Sequence, residues 1–171
     1  MGEKQGLEII INAARQLQDN ENIIFVMCGQ GTAFNRLCDM GEGLNNINWL
    51  PLQPFDKLNE LLNMADVHLL PQKKGVSDLV MPSKLTGMLA SGRPVLATAL
   101  EGTQIAKILE SAGVIVPPEN IDLFVEALIG LASDEDQRKL LGKNARNYAL
   151  GHLGRDVVLS QFEKQLQECV G

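Results

Sequence analysis

The chain has 171 residues, a formal charge of −6 and 45% hydrophobic residues. This size and apolar content predict one globular domain, over residues 1–171, with a full core. The acidic balance argues against nucleic acid as a partner, and no apolar run approaches the roughly 20 residues of a membrane span. The first residues lack the apolar segment of a secretion signal, and three scattered cysteines do not suggest disulfides or zinc, so we expect a cytoplasmic protein.

Helical and strand patterns alternate through the first half of the chain. Apolar residues at steps of three and four indicate helices, and short continuous apolar runs indicate buried strands. The predicted elements, in order, are a helix over 5–18, a strand Ile23–Cys28, a helix over 32–42, a strand Asn45–Leu50, a helix Phe55–Met64 with Leu58, Leu61 and Leu62 inward, and a strand over 66–70.

The second half continues the alternation and then becomes helical. It predicts a helix over 82–91, a strand Pro94–Thr98, a short helix over 102–111, a strand Gly113–Val116 and three further helices, the last over 154–169. Ser133, with Asp136 three residues later, resembles a capping box for the second of these three. The whole order predicts an α/β protein with a doubly wound, Rossmann-like parallel sheet in three layers and C-terminal helices.

The stretch from Leu69 to Pro94 carries the strongest functional signal, because it leads from a strand through a small-residue loop into a helix. Pro82 and Ser83 are typical helix-start residues, with Ser83 expected to cap free N–H groups. Lys84 opposes the helix dipole in the first turn. Together with Lys73 and Lys74 it would suit a bound anion. Lysines kept for solubility explain the same charges, so both interpretations stay open.

Other motifs are weak or absent. Gly29-x-Gly31 follows a strand, but Phe34 stands where a dinucleotide-binding motif has its third glycine. The sequence contains neither a phosphate-binding P-loop signature nor the G-x-S-x-G elbow of hydrolases. His68 and His152 have no neighbouring cysteine or spaced carboxylate, so no metal site is predicted.

Seven segments together resemble the C-terminal, donor-binding domain of family 4 glycosyltransferases with the GT-B fold. The segments are LEIIINAARQL, FVMCGQG, INWLPLQP, LLNMADVHLLP, PSKLTGMLASGRPVLAT, GVIVPPEN and KNARNYA. PSKLTGMLASG is most similar to bacterial transferases of colanic acid, O-antigen or capsule synthesis, including those that move fucosyl or N-acetylfucosaminyl groups.

The resemblance implies half of a retaining transferase that takes a hexosyl or deoxyhexosyl group from a GDP- or UDP-sugar without a metal or other cofactor. An N-terminal domain of the same protein would bind the acceptor, so this chain alone is expected to be inactive. The helix over 154–169 would pack on that domain or dimerise. The whole protein would stay cytoplasmic, associating at the inner membrane with a lipid-linked acceptor.

The resemblance also assigns site residues by position. Donor and phosphate binding falls on Lys4, Gly29, Gly31, Gly75, Ser77, Ser83 and Lys84. The backbone of Leu50, Pro51, Leu52 and Gln53 would read the base. The family has two glutamates at the positions of Leu79 and Gly87, so Asp78 is expected to serve the donor sugar as the catalytic residue, and Ser83 or Thr86 to hold the ribose.

The family domain opens with a central strand and a Gly-Arg pair that precede the position of Lys4. Without that strand, the expected strand order 3-2-1-4-5-6 leaves either a gap or a direct pairing of Ile23–Cys28 with Val67–Leu70. Another chain could also supply the strand. Two further functions remain open: a nucleotide-sugar 2-epimerase type of enzyme and a non-catalytic nucleotide-binding module.

Overall fold

The computed structural model describes residues 1–75 and 82–170. Its five strands are β1 (Phe25–Cys28), β2 (Ile47–Leu50), β3 (His68–Leu70), β4 (Val95–Thr98) and β5 (Gly113–Val116). Its eight α-helices are α1 (Glu8–Gln16), α2 (Phe34–Met40), α3 (Leu58–Asn63), α4 (Ser83–Ala90), α5 (Gln104–Leu109), α6 (Ile121–Ser133), α7 (Glu135–His152) and α8 (Arg155–Val170). Short 3₁₀ turns at Glu3–Gln5 and Phe55–Lys57 precede α1 and α3. The predicted alternation is confirmed, with most elements a few residues shorter than expected.

The strands form two parallel groups, β1–β2 and β3–β4–β5. Within the described ranges, no backbone pairing joins β1 to β3. The predicted gap is therefore present, and the alternative of a direct pairing between Ile23–Cys28 and Val67–Leu70 is wrong. The gap lies where the family's first strand was expected.

Helices cover both faces of β4, which is buried along its whole length. Leu96 packs with α1 and α6, whereas Val95 and Ala97 pack with α4, α5 and α7. Alternate residues of a strand point to opposite faces, so this division defines three layers. The doubly wound, three-layer prediction is thus confirmed at the centre of the sheet.

Two apolar predictions near β1 and α3 differ from the structure. Ile24 is 62% exposed and Val26 is 40% exposed, so β1 is covered on one face only. Leu58 is exposed rather than inward, and α3 has no buried residue. A continuous apolar run cannot tell a strand covered on both faces from one covered on a single face.

The C-terminal helices carry two further results. Asp134, and not Ser133, begins α7, because its carboxylate accepts a hydrogen bond from the Gln137 N–H at 2.8 Å. Ser133 instead ends α6 and donates to the Gly130 carbonyl. The stripe Val158, Phe162 and Leu166 on α8 is exposed, as expected. No helix within the described residues is both long and apolar enough to cross a bilayer.

Candidate functional site

The turn after β1 closes tightly at the carboxyl edge of the sheet. Gly29 and Gly31 have φ of 123° and 142°, values that favour glycine. A Cβ on Gly31 would lie 2.3 Å from the Met1 carbonyl oxygen, so the turn needs glycine for space as well. The Met1 ammonium group donates to the Gln30 carbonyl, and the Ala33 N–H donates to the Met1 carbonyl at 3.2 Å. The N-terminal residues therefore lie directly on this turn.

The exit loop of β2 lies beside the same turn. The Gly29 N–H donates to the Leu50 carbonyl at 3.1 Å, and the Cys28 thiol contacts the Pro51 carbonyl at 3.3 Å. Gln53 folds back to donate to the Pro51 carbonyl at 2.9 Å, and Leu52 is 66% exposed. The structure thus brings the glycine turn together with the loop assigned to the base.

The loop after β3 is held from two sides. The Gln72 N–H donates to the Thr98 hydroxyl at 2.7 Å, and that hydroxyl donates to the Gln72 carbonyl at 2.8 Å. Gly6, with φ of 65°, sits against the Gln72–Lys73 peptide so closely that a Cβ would lie 3.1 Å from it. Lys4 lies two residues before Gly6, in the 3₁₀ turn.

The N-terminus of α4 has no side-chain cap among the described residues. Pro82 is the N-cap residue and Ser83 the first helical residue. The expectation that Ser83 caps the helix is therefore wrong, because Ser83 lies one position too late. An uncapped helix start leaves N–H groups and the positive end of the dipole available to an anion.

Lys84 lies in the first turn of α4 and reaches solvent. The surrounding protein still desolvates its ammonium group enough to lower its pKa. Within residues 1–75 and 82–170, no carboxylate forms an ion pair with it. A bound anion would offset both the desolvation and the unfavourable position at the positive helix end.

Lys73, in contrast, is already paired. Its ammonium group lies 3.1 Å from the Glu8 carboxylate, which also accepts from Arg36 at 2.7 Å. Arg36 reaches Glu3 at 2.8 Å as well. Partial burial acts to raise the pKa of Glu8, but the hydrogen bonds from its own N–H, from Arg36 and from Lys73 outweigh it and lower that pKa. The network links α2, α1 and the loop after β3 across the gap in the sheet.

The remaining predicted residues are less informative. Gly75 is exposed with φ of 85°, and Thr86 is half-buried on α4. Ser77 and Asp78 lie outside the described residues. A side chain at Gly87 would meet Leu62 of α3 at 3.3 Å. Position 87, where the family has a glutamate, therefore faces α3.

Sequence reasoning missed Thr98, Glu8 and Arg36. Their contacts join segments that lie 26 or more residues apart in the sequence, so no local motif predicts them. Glu8, Thr98 and Glu119 also line a cavity of about 310 Å³ beside Gln72 and Lys73. No cluster of three or more His, Cys, Asp or Glu side chains suited to a metal occurs in the described parts of the chain.

Comparison with known proteins gives consistent results. Residues 1–148 match the family of glycosyl transferases group 1. WcaI of Escherichia coli K12, named as a colanic acid biosynthesis glycosyl transferase, is 41% identical over 170 residues, which cover 95% of this chain and 40% of WcaI. The chain thus spans less than half of that relative.

Solved structures share the fold at low sequence identity. Anabaena HepE in complex with UDP superposes with a TM-score of 0.80 at 14% identity, over 98% of this chain and 46% of HepE. TarM of S. aureus, solved with fondaparinux, α-GlcNAc-glycerol and UDP, gives a TM-score of 0.79 at 16% identity, over 96% of this chain and 33% of TarM. These structures show the fold, and the family match over residues 1–148 shows the family: the chain belongs to the group 1 glycosyl transferases.

Proposed function

We propose that this chain is the donor-binding part of a retaining glycosyltransferase that uses a GDP- or UDP-sugar in the synthesis of a cell-surface polysaccharide. The observation that carries the proposal is the N-terminus of α4, where no side chain of the described residues caps the helix and no described carboxylate pairs with Lys84 in the first turn. The family membership and the names of WcaI and HepE support it, since one concerns colanic acid and the other was solved with UDP.

The diphosphate would lie at the N-terminus of α4. Its charge would be held by the N–H groups of the first turn, by Lys84 and by Lys4, with Gly75 and Ser83 close to the donor sugar and phosphates. This arrangement would stabilise negative charge on the leaving diphosphate, which is the chemistry the reaction requires. We propose no metal, because positive side chains and helix N–H groups supply the charge.

The nucleoside would lie toward the turns after β1 and β2. The loop from Leu50 to Gln53 is anchored to Gly29 through the Leu50 carbonyl. We propose that the backbone of this loop contacts the base. Thr86 is proposed to contact the ribose, and Asp78 the donor sugar.

Transfer itself is proposed only for a longer protein that also supplies an acceptor domain. The chain covers 40% of WcaI, and the exposed stripe on α8 would contact that domain. We further propose a cytoplasmic location at the inner membrane, where a lipid-linked acceptor would be met.

Calorimetric titration of the wild-type chain and two variants tests the phosphate role. Lys84→Ala is expected to weaken binding of UDP or GDP by about 5- to 10-fold and that of uridine or guanosine by less than about 2-fold, since a charged hydrogen bond is lost only with phosphate. Lys107→Ala is the matched control, because Lys107 lies on α5 in the last turn, away from the strand ends that carry the site. Equal weakening of nucleosides and diphosphates by Lys84→Ala would reject the proposed role.

A further inference from the structure

Thr98 is a buried hydroxyl at the carboxyl end of β4, with 1% of its surface exposed. The β3–β4 ladder ends at the pair Leu70–Ala97, although β4 continues by one residue against β5. Pro71 follows Leu70 and has no N–H to extend the ladder. Thr98 thus stands at the point where the chain leaves β3 for the loop.

Beyond the last backbone pair of the β3–β4 ladder, the Thr98 side chain makes the next hydrogen bonds between the two segments. The His68 N–H donates to the Pro94 carbonyl, so alternate amides of this segment point toward β4. Gln72 lies on that same side, and its N–H donates to the Thr98 hydroxyl instead of to a backbone carbonyl. The hydroxyl proton goes to the Gln72 carbonyl, so both polar groups of one residue are held by one side chain.

The opposite side of the loop is also fixed. Gly6 packs against the Gln72–Lys73 peptide, and Glu8 binds the Lys73 ammonium group at 3.1 Å. The two hydrogen bonds with the Thr98 hydroxyl and the close contact with the Gly6 backbone restrict the movement of Gln72. The exposed residues Lys74 and Gly75 follow this anchored segment.

We propose that Thr98 is a positioning residue for the donor diphosphate: it touches no ligand but fixes the start of the loop that holds Gly75 close to the phosphates. The inference rests on the proposed function and adds a residue to it. It also separates two parts of the site, since the loop that would read the base is anchored to β1 through Gly29 and not to Thr98.

Two variants test whether Thr98 affects binding of the diphosphate without affecting binding of the base. Thr98→Val keeps the shape of the side chain and removes the hydroxyl, whereas Thr98→Ser keeps the hydroxyl. With calorimetry at a temperature where circular dichroism shows all proteins fully folded, Thr98→Val should weaken UDP and GDP binding by about 5- to 10-fold. Uridine and guanosine binding should change by less than about 2-fold, and Thr98→Ser should restore diphosphate binding to within about 2-fold of the wild type.

The outcomes separate the two proposals. If the wild type binds neither UDP nor GDP, the proposed function fails and this inference with it. If the wild type binds them and Thr98→Val binds them equally well, only the role of Thr98 is overturned. Equal weakening of nucleosides and diphosphates also overturns it, because that result indicates a general loss of structure.

A measurement on the wild type keeps the test decisive should Thr98→Val fail to fold. Hydrogen exchange followed by NMR should show the Gln72 amide at least about 100-fold more protected than the amides of Lys74 and Gly75. Comparable exchange of all three amides would show that Thr98 does not hold the loop, and would overturn the proposal.

Discussion

Acid should weaken this fold through one buried histidine. His68 begins β3, is 8% exposed, and lies at the end of the strand away from the candidate site. Its Nε2 lies 3.0 Å from the Ser91 hydroxyl, and that hydroxyl donates its own proton to the Met88 carbonyl at 2.6 Å. Nε2 must therefore carry the hydrogen, which leaves Nδ1 as the site that a second proton would occupy.

Burial, and secondly the nearby Arg93 charge, lower the pKa of His68 from 6.5 to about 4. The folded protein therefore resists a proton that the unfolded chain accepts. Stability from this group is complete above pH 6.5 and is lost as the pH falls from 6.5 toward 4. At one pKa unit per 1.36 kcal/mol, linkage predicts a loss of about 2 kcal/mol at pH 5 and about 3 kcal/mol in the acid limit.

His68→Gln isolates this contribution. Its amide N–H can still reach the Ser91 hydroxyl, but the side chain does not titrate. Urea unfolding at pH 7.5 and pH 5, followed by circular dichroism, gives the free energy of unfolding of both proteins. The wild type should lose about 2 kcal/mol more than the variant between the two pH values. An equal loss in the two proteins would refute the argument.

Three further experiments test the backbone. Glu119 has φ of 65°, so Glu119→Gly should raise the free energy of unfolding by about 0.5–1 kcal/mol in urea titrations, and a decrease would contradict the assigned strain. Gly142→Ala would place a Cβ 2.2 Å from a backbone carbonyl oxygen and should lower the free energy of unfolding by about 2 kcal/mol or more. The control Gly130→Ala places its Cβ where nothing lies within 4 Å, so it should not lower the free energy of unfolding. Similar effects of the two substitutions would argue against close packing of α7. In hydrogen exchange the Val26 amide, which faces the gap, should exchange faster than the Met27 amide, which faces β2, and equal protection would indicate a strand in the gap.

Much of the fold follows from the sequence because the periodic signals are local. Ile105, Ile108 and Leu109, spaced along the predicted helix over 102–111, are buried, and Phe124 and Leu128 of α6 lie in the core. These side chains sit on helices that pack one face against the sheet, which is the situation that a 3.6-residue pattern reports.

The wrong predictions concern residues whose exposure or ion pairing depends on residues distant in the sequence. Val26 is 40% exposed because, among the described residues, no helix covers that face of β1, and a run of apolar residues cannot indicate this. The sequence groups Lys73 with Lys84, but Glu8 pairs with Lys73, whereas no carboxylate among the described residues pairs with Lys84. Among the predicted site residues, Gly29 and Leu50 meet through a hydrogen bond, because Gly29 follows β1 and Leu50 ends β2, and the carboxyl ends of these paired parallel strands share one edge.

Titration of UDP and GDP into the ¹⁵N-labelled chain, followed by amide shifts, tests the central claim most directly. The account predicts changes centred on residues 29–31, 50–54 and 75–86, with affinity in roughly the millimolar range for an isolated donor-binding part. No shift with either nucleotide, or shifts centred on α7 and α8, would contradict a diphosphate site at the N-terminus of α4.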